Sequence, residues 1–188
     1  MQNRKNPNFV FLAVIIVAVI AIWVMYTRLP SKKSSGYSES GEVRVGPPDI
    51  YPDPARTPGA TNPDITQENI RETICNPRWS TKSIRPPASY THQLKVEQIR
   101  EYGYSDSALK DFEEDHFIPL ELGGNPTDPK NLWPEPFDTS IPDGGARSKD
   151  KVENYLHAEV CAGNLTLGQA QKEITEDWYR VYSLSVPH

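Results

Sequence analysis

Apolar residues run without interruption from Phe9 to Tyr26, with Arg4-Lys5 before them and Arg28 after. A stretch of 18 residues meets the lower length of a membrane span, about 17–25 residues. Trp23 and Tyr26 sit where aromatic residues anchor a helix at the membrane interface. The run is longer than the apolar part of a signal peptide, about 7–15 residues, and no small-x-small cleavage pattern follows it. The pattern therefore favours an uncleaved signal-anchor over a cleaved signal peptide. From Pro30 to Pro63 the apolar periodicity disappears, and Pro52, Pro54, Pro58 and Pro63 recur among Ser and Gly. Such a segment reads as an extended, semi-rigid tether. The expected division is a cytoplasmic tip and transmembrane anchor at 1–29, a linker at 30–61 and a folded domain at 62–188.

Within that domain the periodicity alternates between helix and short strand. Asp64 or Thr66 can cap a helix ending near Cys75, with Ile65, Ile70 and Ile74 as its apolar face. Thr91 can cap a second, from about His92 to Tyr102, with Leu94, Ile99 and Tyr102 inward and Gly103 as its stop. Phe117 to Leu122 reads as a short strand with a Pro-bent start, and Gly123-Gly124-Asn125-Pro126 as a turn. Residues 131–137 carry two prolines and are expected to be extended or irregular. Ser148 opens a helix to about Ala162, with Val152, Leu156 and Val160 on one stripe. Thr166 and Gln169 form a capping box for a last helix carrying Leu167, Ala170, Ile174, Trp178 and Val181. The prediction is an α+β domain, rich in helix around one small β element, behind an N-terminal transmembrane helix.

Charge and cysteine content adjust this picture. The net charge is -5, but residues 1–33 hold five basic residues and no acids. The remainder has 15 basic and 25 acidic residues, a net of -10. Such a domain does not bind nucleic acid by bulk electrostatics. A nucleic-acid site would need a local basic patch or a metal ion. Basic residues flank both ends of the apolar run, so the positive-inside rule does not orient it. Cys75 and Cys161 stand near the two ends of the domain. Two buried thiols are one reading. An export-like N-terminus favours the other, a disulfide in an oxidising compartment, which puts the domain outside the cytoplasm. Free thiols would instead suit a domain facing the cytoplasm on an inverted anchor.

Candidate chemistry concentrates in Glu113-Glu114-Asp115-His116-Phe117-Ile118-Pro119-Leu120-Glu121-Leu122-Gly123-Gly124, followed by Asn131-Leu132-Trp133-Pro134-Glu135-Pro136. A neutral imidazole is a suitable general base near pH 7, and a neighbouring carboxylate suits a hard divalent cation. These runs combine with Arg85-Pro86, Tyr90-Thr91, Lys95, Tyr102-Gly103, Lys149-Asp150, Glu153 and Val160-Cys161-Ala162-Gly163. Together they resemble a bacterial subgroup of the HNH-like endonucleases, the His-Me finger or ββα-metal family, over about residues 62–182. The resemblance implies a small ββα-metal core and hydrolysis of a phosphodiester. It implies His116 as the base that activates water, and Asp115 as a metal ligand on the opposite side of the strand. Asn131 is implied to hold the hairpin and orient His116.

The family's second metal ligand, commonly a helical His or Asn, has no direct match here. Asp150, Glu153, Asn154 and His157 are the residues on offer, and Asp150 or Glu153 is preferred. The implied cofactor is a divalent ion, Mg²⁺ first, with Mn²⁺ or Zn²⁺ as alternatives. Arg85, Lys95, Arg147 and Lys149 are candidate phosphate contacts, the last two at a helix N-terminus that attracts anions. Trp79 and Trp133 could stack bases, although Trp133 and Trp178 also suit a core. The expected activity is a membrane-tethered, metal-dependent endonuclease acting on DNA more readily than RNA. No protein partner can be inferred. The competing expectation is a non-catalytic binding module on the same scaffold, anchored in a membrane.

Overall fold

A computed structural model describes residues 49–186, all within the unit Glu42–His188. The apolar run at 9–26 and the tether up to residue 48 lie outside the described residues. Among the described residues no helix is long and apolar enough to cross a membrane. The described residues form an α+β fold with three α-helices and one two-stranded antiparallel sheet.

The sheet is a hairpin of β1 (Phe112–His116) and β2 (Leu132–Pro136), paired from Phe112↔Pro136 to His116↔Leu132. The acidic run is thus itself a strand, and the apolar run expected to be one is not. Pro119 offers no N–H to a ladder. Leu120–Leu122 instead forms a 3-10 turn that ends at Gly123 in the left-handed region, φ 73°. Phe117 and Leu122 still fill the core, both with 0 % exposure. Pro134 and Pro136 are accommodated in β2 because each strand of a two-stranded sheet is an edge, where proline is tolerated. The connection between the strands passes very close to its own backbone. A Cβ at Gly124 would lie 1.8 Å from the Ile118 carbonyl oxygen, which requires glycine there.

Three helices complete the described domain: α1 (Ala88–Tyr102) packs on both strands, and α2 (Ala146–Ala162) and α3 (Leu167–Ser185) pack on each other and on the 3-10 turn after β1. Their stops at Gly103 and Gly163 and the Thr166–Gln169 capping box match the expected ones. The helix α1 starts earlier than His92, directly after Pro87, whose side chain cannot cap it. Residues 64–75 are a string of turns and not the expected helix. There the Asn69 side chain accepts from the Thr66 N–H and donates to the Asp64 carbonyl, a local alternative to helical bonding. Ile65, Ile70 and Ile74 are buried all the same.

The main core lies where α2 meets α3 and the loop after β1. It contains Val152, Leu156 and Val160 from α2, Ile174 and Trp178 from α3, and Phe117, Leu122 and Trp133. The segment expected to end the tether belongs to this fold. Ile50, Tyr51 and Thr57 are buried, and Trp178 Nε1 donates to the Ile50 carbonyl at 2.9 Å. Among the described residues, folded structure therefore includes part of the segment expected to be linker, ahead of Asn62. The proline-rich composition hid this, because Ile50 and Tyr51 are two apolar residues without a period.

Cys75 and Cys161 form a disulfide across 86 residues, with their Cα atoms 5.3 Å apart. It ties the turn segment at 64–75 to the end of α2. Replacing both cysteines with Ser is expected to cost about 2–5 kcal/mol, as for a native disulfide closing a long loop. Urea unfolding of the oxidised wild type beside the double variant measures this; equal midpoints would remove the disulfide as a source of stability.

Candidate functional site

Alternation along the strands places Glu113 and Asp115 on the same face of the hairpin as Trp133 and Glu135. The N-terminal half of α2 packs over this region. It begins at Gly145, where a Cβ would meet the Phe137 carbonyl oxygen at 2.0 Å. This close start directs Lys149, in the first turn of α2, into the protein. Lys149 is fully buried.

An ammonium has three N–H donors, and each finds an acceptor. Lys149 Nζ donates to Asp115 Oδ2 at 2.5 Å, to Glu153 Oε1 at 2.5 Å and to the His116 carbonyl at 3.1 Å. Glu135 Oε2 stands further off at 3.6 Å. Three carboxyl groups therefore surround one cation in a buried site. Burial alone would push the Asp115 carboxyl up. Lys149, with help from Glu135 and His116, reverses this and holds it down at about 2. Burial raises Glu153 to about 8 against the pull of Lys149, and raises Glu135 well above the carboxylate range. Burial thus favours the protonated forms of Glu135 and Glu153, while Lys149 favours the ionised form of Asp115.

His116 closes β1 on the opposite face and is only 3 % exposed. Its Nε2 lies 3.0 Å from the Pro126 carbonyl oxygen. A carbonyl only accepts, so Nε2 carries the proton and Nδ1 is left with the lone pair. Burial lowers the imidazole below its usual range, partly offset by Asp115, so the ring is neutral at pH 7. Asn131 is buried and uses its whole amide. Its Oδ1 accepts from the N–H groups of Ile118 and Ala60, and its Nδ2 donates to the carbonyls of Ile118 and Asn125. Asn125 precedes Pro126. Asn131 therefore holds the loop that holds His116, and acts by positioning.

The other candidates are dispersed. Arg85 is exposed, and close enough to affect the titration of Glu113, His116 and Asp150. Arg85 and Lys95 line one cavity of about 490 Å³ with Glu113 and Glu114. Lys95, however, spends its ammonium on the carbonyls of Leu109 and Phe112. Arg147 is exposed over the Phe137 ring and lines a separate cavity with residues 137–145. Asp150 is exposed on α2. Lys149 does not meet a phosphate at the helix N-terminus; its ammonium is enclosed by protein acceptors. Trp133 is fully buried and Trp79 packs against the core.

Glu135 sits inside an apolar, proline-rich motif and Glu114 within an acidic run, so neither has a sequence signal of its own that marks it as part of the site. Both Glu114 oxygens are buried without a hydrogen-bond partner, and burial pushes its carboxyl up to about 8. A signal for the cluster did exist. Lys149, Glu153, His157 and Cys161 recur every four residues, which is one stripe of a helix.

The arrangement does not fit a divalent ion. The position between Asp115 and Glu153 is filled by the Lys149 ammonium. Among the described residues, the one group of three or more ligands whose atoms all lie within 4.8 Å of each other is Cys75, His157 and Cys161. Asp115, Asp150 and Glu153 form no such group.

Compared with known proteins, the chain matches no family model, no curated protein and no solved structure.

Removing Lys149 leaves buried carboxylates without a cation. Lys149→Met is expected to destabilise the domain by about 3–5 kcal/mol at neutral pH. Asp115 titrates lower in the folded state than in the unfolded one. Its contribution is therefore complete above about pH 4 and fades as pH falls toward 2. The gap between wild type and variant should narrow over that window. Denaturant midpoints at pH 7, 4 and 3 test this; a gap independent of pH would mean that packing, and not charge, makes Lys149 necessary.

Proposed function

We propose that this chain hydrolyses phosphodiester bonds of nucleic acid, DNA in preference to RNA, on an HNH-like ββα hairpin tethered to a membrane by residues 9–26. The observation that carries the reading is His116. It is a neutral imidazole beside Asp115 at the end of a hairpin strand, with Nε2 bound to a backbone carbonyl and Nδ1 left as the proton acceptor. A ring restrained in this way suits a base that takes a proton from water. Asn131 supports the reading by locking the loop behind His116. Arg85 is the exposed cation nearest in influence and is assigned to the phosphate. The disulfide supports a domain outside the cytoplasm.

In the family that the sequence resembles, a divalent ion supplies positive charge at the leaving oxygen. Here no step is assigned to one, because Lys149 already occupies the carboxylates. The role assigned to Lys149 is to keep Asp115 ionised and β1 aligned with α2.

Two observations favour the rival reading, a binding module without catalysis: His116 is almost inaccessible, and the acids are satisfied by a lysine.

Plasmid nicking by the full chain in detergent separates the two. Wild type is expected to nick, and His116→Ala to lose about 10²–10⁴ of the rate. Nicking is expected to persist in EDTA. A need for Mg²⁺ or Mn²⁺ would mean that a metal displaces the ammonium. The base must be neutral to act, so the rate should fall as pH drops through the His116 pKa, which burial holds below the usual imidazole range. No nicking by a folded wild type, with or without metal, would leave the binding module.

A further inference from the structure

A second cluster lies at the far end of α2. His157 Nε2 is 3.4 Å from Cys161 Sγ and 2.8 Å from the carbonyl oxygen of Ile74, the residue before Cys75. One ligand atom each from Cys75, His157 and Cys161 falls within 4.8 Å of the others. These three side chains share a cavity of about 390 Å³ with Trp79 and Glu121. Glu121 Oε1 is buried and has no hydrogen-bond partner. Two sulfurs and an imidazole therefore meet at a cavity that Glu121 also lines, its carboxyl outside the 4.8 Å group and one of its oxygens without a hydrogen-bond partner.

The donor set has a clear chemical preference. Thiolate, imidazole and one carboxylate in fourfold coordination suit Zn²⁺ and do not suit Mg²⁺ or Ca²⁺. The disulfide withholds both sulfurs. The two Cα atoms are 5.3 Å apart, close enough for both sulfurs to reach one metal ion if the fold is kept on reduction. We infer that the Cys75–Cys161 pair is one state of a redox-controlled zinc site, and that on reduction Cys75, Cys161, His157 and Glu121 bind one Zn²⁺. The inference does not depend on nuclease activity.

The steps balance. A dithiol gives two electrons and two protons to the S–S bond and is itself oxidised to a disulfide, or a phosphine takes the oxygen of one water to become the phosphine oxide while that water supplies the two protons; either way two thiols form. Zn²⁺ then displaces both thiol protons and bonds two thiolates. The His157 proton moves from Nε2, where it now meets the Ile74 carbonyl, to Nδ1, and Nε2 turns its lone pair to the metal. Reduction removes the covalent tie between residues 64–75 and α2, and the metal restores a tie between the same elements.

The test uses the full chain in detergent, reduced with a phosphine that does not bind zinc tightly, and titrated with Zn²⁺ against a chromophoric chelator. The expected result is one Zn²⁺ per reduced chain and none per oxidised chain, with a rise in melting temperature of the reduced protein on adding zinc. Co²⁺ in place of Zn²⁺ should give thiolate charge-transfer absorption. His157→Ala should lose stoichiometric binding, and Glu121→Gln should bind about tenfold more weakly. Circular dichroism follows the fold throughout. If reduction alone unfolds the chain, zinc should refold wild type and not His157→Ala. Absence of binding, no refolding by zinc, or equal binding by wild type and His157→Ala would overturn the site. In the last case a bare pair of thiols is the chelator. Equal binding by Glu121→Gln would overturn the four-ligand assignment.

Discussion

The buried ammonium of Lys149 is the contact that joins the parts of this domain. It touches β1 through Asp115 and the His116 carbonyl, lies beside Glu135 of β2, and bonds Glu153 one turn along its own helix. A two-stranded hairpin has little stability by itself. This one is clamped to α2 through charge and not through apolar contact alone. Burying a lysine is costly unless all its donors are met. Here they are met by three oxygens, two of which belong to carboxyl groups. The same contact sets the protonation of the cluster and keeps Asp115 ionised where desolvation would favour its acid form.

The second constraint is the loop between the strands. It must reverse the chain in a small space, carry Phe117 and Leu122 into the core, and present Pro126 to His116. Gly124 permits the close backbone approach, and Asn131 satisfies the backbone groups that such a turn leaves unpaired. A residue that looks catalytic by position is thus a structural element, and its effect on His116 is transmitted through Asn125 and Pro126. The orientation of the imidazole follows from these bonds.

One face of α2 links both clusters. Lys149 and Glu153 belong to the hairpin site, and His157 and Cys161 to the sulfur site, at successive intervals of four residues.

Local order was legible where it depended on neighbours in the chain. The stops at Gly103 and Gly163, the capping box at Thr166 and the apolar stripes of α2 and α3 follow from short-range chemistry. The pairing of Cys75 with Cys161, 86 residues apart, was legible for another reason: they are the only two cysteines, and an oxidising compartment joins them. What the sequence could not determine was which short segment would be a strand, because hairpin pairing outweighs apolar content. It could not show that Ile50 and Tyr51 join the core, since their partners lie more than a hundred residues away. Nor could it determine the fate of Lys149. A lysine at a helix N-terminus suits a solvated phosphate contact equally well, and only the approach of Asp115 and the His116 carbonyl from β1, joined by Glu153 of the same helix, turns it into the buried cation of the fold.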